Sequence, residues 1–282
     1  MSFKDEIKKQ QESREKWIAN KTNEREVVSS LADNGIAMIT SDPEYYAKYL
    51  SLQADNFSLS PNNLAIVMET NPEATLVAQA DTWVKRGRKV KPSQYDNGIK
   101  VFVPMPEKER KRRNIKEVYS VIGMVYDISQ TTGSDYMPSK MIAHDSDFMD
   151  KAVGTFVTVS KAPIVFDTDL PVAAEYNIET RSLEINPNAP VIDVFRALCS
   201  ETVYANRHRG GSRYDKSWYL LEAESIAYLL NRHFLGDTAL PDTTGVLQFY
   251  EGKSIADRLQ SLQYNLKSYN DMRNAIRKAL TK

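Results

Sequence analysis

The stretch Val194–His208, VFRALCSETVYANRH, decides how this chain is read. It reads as a helix on which Glu201 sits between Ser200 and Tyr204. Fourteen residues past Tyr204 begins Trp218–Phe234, WYLLEAESIAYLLNRHF, an acidic motif carrying Glu222 and Glu224 on an apolar helix. Two helices with acids placed this way raise a question of metal chemistry.

A His-Glu-x-x-His helix puts two imidazoles four residues apart, on one face, where they hold zinc. The glutamate between them acts on the metal-bound water as general base. A third ligand, usually an acid, comes from a following helix. Here Glu201 stands at the base position, while Ser200 and Tyr204 occupy the two ligand positions. A serine hydroxyl and a phenol are neutral at pH 7 and bind zinc poorly beside imidazole. Glu222 or Glu224 remains for the third position. His208 lies eight residues past Ser200, too far to replace either ligand. His144 and His233 read as ordinary surface histidines; a metal site rebuilt from these three and the acids is the minor alternative.

The 282 residues allow one large or two ordinary domains, and 41% hydrophobic content supports a real core. Thirty-seven basic residues balance 37 acidic ones, so the total charge names no partner. The lone Cys199 excludes an internal disulfide and fits a reducing compartment. No apolar run reaches the roughly 18 residues a membrane helix needs, and the start, MSFKDEIKKQQESREKW, is too charged for a secretory signal. A cytoplasmic protein without membrane contact is the expectation.

The local charge is less even. Between Trp83 and Lys116 stand twelve basic residues against three acids, Asp96, Glu107 and Glu109, a surplus of nine that the rest of the chain cancels. Around this segment the elements read as follows. Residues 4 to about 31 form a solvated helix fading into a loop at Asp33-Asn34-Gly35. A helix starts at Ser41 or Asp42 with Pro43 in its first turn, and a second runs through NNLAIVMETN. For Asn62 and Asn63 helix capping outranks orienting a loop against a strand. The strands GIKVFVPMP and VYSVIGMVYDISQT are joined by EKERKRRNIK, a basic loop expected to protrude. The second half opens with the strand PIVFDTD, a hairpin turning at NIETR, helices at about 193–207 and 215–235, and a closing helix from Ser254. These elements describe an α+β protein: N-terminal helices with a small antiparallel sheet, then a zincin-like domain of hairpin plus helices. The expected division is a charged extension at 1–40, a domain at 41–135, a linker at 136–160 with a helix in its second half, and a domain at 161–282.

The segments NPEATLVAQADTWVKRGRKVKPSQYDNGIKVFVPMP, VYSVIGMVYDISQT, AEYNIETRSLEIN and LLEAESIAYLLNRHF, in this order and spacing, resemble the ArdC-type antirestriction family. The resemblance runs from about Tyr45 to the end. It implies a single-stranded-DNA-binding domain followed by a zincin-like metallopeptidase domain, encoded on a conjugative element. The family carries His-Glu-Leu-x-His where this chain has Ser-Glu-Thr-Val-Tyr, so Glu201 maps to the family's glutamate and Ser200 and Tyr204 to lost ligands. With both imidazoles gone, no catalysis and no zinc or other cofactor are expected. Two alternatives stay open: a working metallopeptidase with non-standard ligands, and an interaction module whose dead cleft grips a host or element-encoded protein.

Single-stranded DNA asks for cations along its phosphates and flat side chains under its bases. The candidate contacts are Trp83, Lys85, Arg86, Arg88, Lys89, Lys91, Lys108, Arg110, Lys111, Arg112, Arg113 and Lys116. The first five cations surround a turn at Gly87, and KERKRRNIK reads as a flexible arm. Tyr95, Phe102 and Tyr119 lie in or beside the segment, with Tyr45, Tyr46 and Phe57 on the preceding helices. The rival reading is a solvated basic face over aromatics that belong to the core; for Trp83 the two weigh equally.

Overall fold

The computed structural model describes residues 3–117, 119–136, 146–208, 210, 213–236 and 238–281. In chain order the first elements are α1 (Phe3–Ile39), α2 (Pro43–Asp55), α3 (Pro61–Thr70), β1 (Val77–Ala78), α4 (Ala80–Lys85) and β2 (Arg88–Val90). There follow β3 (Ile99–Pro104), α5 (Glu107–Arg112), β4 (Ser120–Asp127), β5 (Thr131–Gly133) and α6 (Ser146–Val159). The chain ends with β6 (Ile164–Phe166), β7 (Ala174–Asn177), β8 (Ser182–Ile185), α7 (Val191–Arg207), α8 (Leu220–Leu235), α9 (Val246–Tyr250) and α10 (Ile255–Leu280). This is the expected mixture of helices and small sheets. No helix among the described residues is long and apolar enough to cross a membrane.

The chain forms two compact units, one of Met1–Ala37 with Asn62–Tyr136, the other of Met38–Pro61 with Met137–Lys282. Residues 38–61, which include α2, therefore group with the C-terminal part rather than with the basic segment. The helical half of the expected linker is α6, which carries the fully buried Phe156 into the second unit's core.

In the first unit β4 is the central strand of the order β1-β4-β3, all antiparallel, with Ile99 opposite Val125 and Pro104 opposite Ser120. Alternation along β3 puts Ile99 and Val101 in the core. Asp127 closes β4: its carboxylate accepts the Thr75 and Leu76 N–H groups at 2.8 and 3.1 Å and that of Ser129 at 2.8 Å. Burial alone would raise its pKa, but these donors outweigh it and hold the carboxyl below the usual range.

Two sequence readings change here. α1 does not fade at Asp33-Asn34-Gly35 but continues to Ile39. Gly35 serves close packing, not a turn: a Cβ there would lie 2.5 Å from the Ala65 carbonyl oxygen on α3. Asn63 is not a cap. Its side-chain amide donates to the Phe102 carbonyl at 2.7 Å and accepts the Phe102 N–H at 3.0 Å, binding the free edge of β3 as a strand would.

In the second unit β8 is central, parallel to β6 and antiparallel to β7. The β7–β8 turn ends at Arg181, whose φ of 56° lies in the left-handed region. Phe156 of α6, Phe195 of α7 and Phe234 of α8 meet edge to face, with centroids 5.8 and 6.0 Å apart. Burying each such ring stabilises the unit by roughly 2 kcal/mol. α2 starts as expected, Asp42 accepting the Tyr45 N–H, and sends the buried Tyr46 hydroxyl to Ser225 at 2.8 Å. Ser254 caps α10 through the Asp257 N–H.

Candidate functional site

The basic segment of the first unit divides into three groups. Gly87, at φ +75°, reverses the chain between α4 and β2. Lys85 and Lys89 flank this turn, Lys108 lies in the first turn of α5 and Lys116 follows that helix, and all four are exposed without a carboxylate partner among the described residues. Other cations have structural work. Arg88 donates to Thr131 Oγ1 at 2.8 Å and to the Thr131 and Ser134 carbonyls, tying β2 to β5. Lys91 reaches the Ser129 carbonyl at 2.8 Å, and the Arg86 guanidinium lies over the Trp83 and Tyr136 rings. Arg110 is half-buried.

The third group is compensated. The expected flexible arm is helix α5, where Lys111 pairs with Glu107 at 2.7 Å and Arg113 and Arg112 approach Glu109 at 2.5 and 3.7 Å. Spacings of three and four residues bring the members of each pair to the same side of the helix, Glu107 with Lys111 and Glu109 with Arg112 and Arg113, which is why six charged residues fold rather than flail. Lys100 pairs with Glu24 of α1 at 2.8 Å.

Trp83 is a core residue, not a base contact. It is 0% exposed, packs with Leu76, Ala78, Val90 and Tyr126, and donates its indole N–H to the Tyr126 carbonyl at 2.8 Å. Tyr46 is likewise fully buried, and Tyr45, Tyr46 and Phe57 belong to the second unit. Phe102 is half-buried under Arg25. Two aromatics beside the cations remain open to a base, Tyr95 and Tyr119, each 51% exposed.

In the second unit α7 places Ser200, Glu201 and Tyr204, while α8 places Glu222 and Glu224. Glu201 accepts the Tyr176 backbone N–H at 2.7 Å, satisfying a donor of edge strand β7, and the Lys216 ammonium at 2.9 Å. Lys216 also lies 3.4 Å from Glu175 and 5.4 Å from the centre of the Tyr204 ring. Its position follows from Asp215, which accepts the Ser217 N–H and starts a short 3-10 turn. An ammonium thus stands against the carboxylate that a zincin would turn toward metal-bound water.

The remaining donors suit zinc no better. The Ser200 hydroxyl is turned back to the Ala197 carbonyl at 3.2 Å. The buried Tyr204 phenol is pushed well above its usual pKa by desolvation and then by Glu224 and Glu201, so it is neutral at pH 7. Glu222 is held by Arg207 at 2.5 Å and the Ser261 hydroxyl at 2.9 Å, and Arg207 stacks 3.4 Å from the Tyr264 ring centre. Glu224 has no such partner among the described residues; desolvation, then the charge of Glu201, raises its pKa.

The two described histidines, His208 and His233, are engaged elsewhere. His208 Nδ1 bonds the Tyr176 hydroxyl at 2.7 Å, and its ring stacks on Tyr214 at 4.2 Å. His233, expected at the surface past its helix motif, is inside α8 and 8% exposed, among Phe57, Phe234 and Tyr269. His144 lies outside the described residues. No group of three or more His, Cys, Asp or Glu suited to a metal occurs among the described residues. Sequence reasoning missed Lys216 and Arg207, because nothing in a lone cation 15 residues from its acid marks the pairing.

No protein-family model matches the chain, and no curated protein does. Two crystal structures of the antirestriction ArdC protein from R388 plasmid are similar to it. The Mn(II)-bound form is 16% identical with a TM-score of 0.43, covering 77% of this chain and 87% of that one. The metal-free form is 12% identical with a TM-score of 0.40, covering 78% and 83%.

Proposed function

We propose that this chain binds single-stranded DNA through the first unit's basic face, as a non-catalytic, antirestriction-like accessory protein of a conjugative mobile element. The observation that carries the reading is the set of exposed lysines without carboxylate partners among the described residues, Lys85, Lys89, Lys108 and Lys116, in the same stretch of chain as the exposed rings of Tyr95 and Tyr119. Cations without partners attract phosphate, and an exposed phenol offers a face to any base. The motif resemblance to ArdC-type proteins supports the biological setting. The second unit contributes no zinc chemistry in this reading, since Lys216 neutralises Glu201 and the two ligand positions carry hydroxyls.

The test is fluorescence anisotropy with a labelled oligothymidylate and its duplex counterpart over a salt series. Four phosphate contacts give a log–log slope of roughly −3 on single strands, and single strands win over duplex. Lys85→Glu with Lys89→Glu lowers affinity at least tenfold, whereas Arg112→Glu with Arg113→Glu does less because Glu109 already compensates both. Binding that ignores salt, or survives the double lysine reversal, rejects the proposal. Metal analysis of the same preparation, showing stoichiometric zinc lost in Glu201→Gln, would instead favour a working peptidase.

A further inference from the structure

The second unit holds a cavity of about 760 Å³ between the start of α8 and the α9 region. Trp218, Leu220 and Phe249 supply its apolar wall; Trp218 and Leu220 are 52% and 53% exposed, large apolar groups left open to solvent. Three charged residues line it: Glu224, Asp242 and Lys253. Asp242 is spoken for, accepting the N–H and hydroxyl of Thr244 at 2.9 and 2.7 Å. The other two are not. Among the described residues Glu224 makes no hydrogen bond or ion pair and the Lys253 ammonium meets only rings, 3.6 Å from the centre of Phe249 and 5.2 Å from that of Tyr250. The acids near Lys253 are engaged elsewhere, Glu222 by Arg207 and Ser261 and Asp257 by Ser254.

A half-buried carboxylate and a half-buried ammonium facing one cavity, without pairing to each other, are costly unless something else meets them. We propose that this cavity binds a small zwitterion, an amine and a carboxylate on an apolar frame. Glu224 receives the amine, Lys253 the carboxylate, and Trp218 and Phe249 cover the frame. A ligand with both charges satisfies both groups at once; one with a single charge leaves the other unpaired. Pockets of this volume commonly take small organic ligands through a few placed polar groups on an apolar wall.

Calorimetry on the full chain, with Trp218 fluorescence as a second readout, tests this with two charge spacings. L-phenylalanine is compared with phenethylamine and 3-phenylpropanoate, and 6-aminohexanoate with hexylamine and hexanoate. The expected result is that one zwitterion binds at least tenfold more tightly than both of its single-charge analogues. In Glu224→Gln its advantage over the carboxylate analogue disappears, and in Lys253→Met its advantage over the amine disappears. If neither zwitterion exceeds its analogues on the unaltered protein, or none of the six binds at millimolar concentration, the proposal is wrong whether or not the variants fold. DNA binding plays no part in the readout, so the two proposals fail separately.

Discussion

Acidification should loosen the second unit through His233. The ring is buried on α8 against Phe57, Phe234 and Tyr269, and its Nε2 has no hydrogen-bond partner among the described residues. Desolvation first, then the positive charges of Arg273 and Arg277, lowers its pKa from 6.5 to about 4. A base whose pKa is depressed by folding is neutral in the native state while the unfolded chain takes up a proton. Stability is therefore fully present above pH 6.5 and is lost as pH falls toward 4. Each tenfold displacement of a protonation equilibrium is worth about 1.4 kcal/mol, so His233 alone removes about 2 kcal/mol between pH 7 and pH 5. Other groups titrate in this window, and Glu224, with its raised pKa, acts in the opposite sense. The comparison is accordingly with His233→Leu, which is apolar, of similar bulk and unable to titrate. Urea unfolding read through hydrogen exchange of α8 amides isolates the unit concerned. At pH 7 the variant loses about 1 kcal/mol of ring contacts, and by pH 5 that deficit has vanished or reversed. A difference between the two proteins that stays constant within 0.5 kcal/mol from pH 7 to 5, well below the roughly 2 kcal/mol expected, would refute the reasoning.

Three further outcomes follow from single contacts. In a double-mutant cycle of Glu201→Gln and Lys216→Met, measured by urea unfolding, the pair couples by about 1–2 kcal/mol, because a half-buried pair lies between the surface and core cases; additive losses would show the ammonium is not bound to Glu201. Asp127→Ala strands the N–H groups of Thr75, Leu76 and Ser129 and costs the first unit about 2 kcal/mol in thermal or chemical unfolding. Gly35→Ala drives a methyl into the Ala65 carbonyl and costs about 2 kcal/mol, although alanine is the better helix former; a stabilised variant would mean that α1 and α3 are not in close contact.

Much of the fold was legible because local chemistry wrote it. Asp42-Pro43 marked the start of α2, the β-branched run marked β3 and β4, and the polar NIETR turn marked the β7–β8 hairpin. What misled was local chemistry put to a distant use. Asp33-Asn34-Gly35 reads as a stop, yet its glycine admits a neighbouring helix 30 residues on. EKERKRRNIK reads as a mobile loop because net charge hides the three- and four-residue pairings that order it. At the candidate sites, Glu201, Ser200 and Tyr204 could be named from spacing within one helix. Lys216 could not, since its approach to Glu201 depends on how a turn after α7 folds back. Trp83 illustrates the same limit: its neighbours in sequence are cations, and its neighbours in space are Leu76, Val90 and Tyr126.

Asn63 has a consequence for how the protein behaves in a crowded cell. A bare outer strand invites any extended chain to lengthen the sheet, the usual first step toward insoluble aggregates. At Phe102 that vacancy is filled by one amide from a helix, which offers the same donor and acceptor an intruder would bring and then goes no further. The three-stranded sheet is finished there by a plug two atoms wide rather than by another strand.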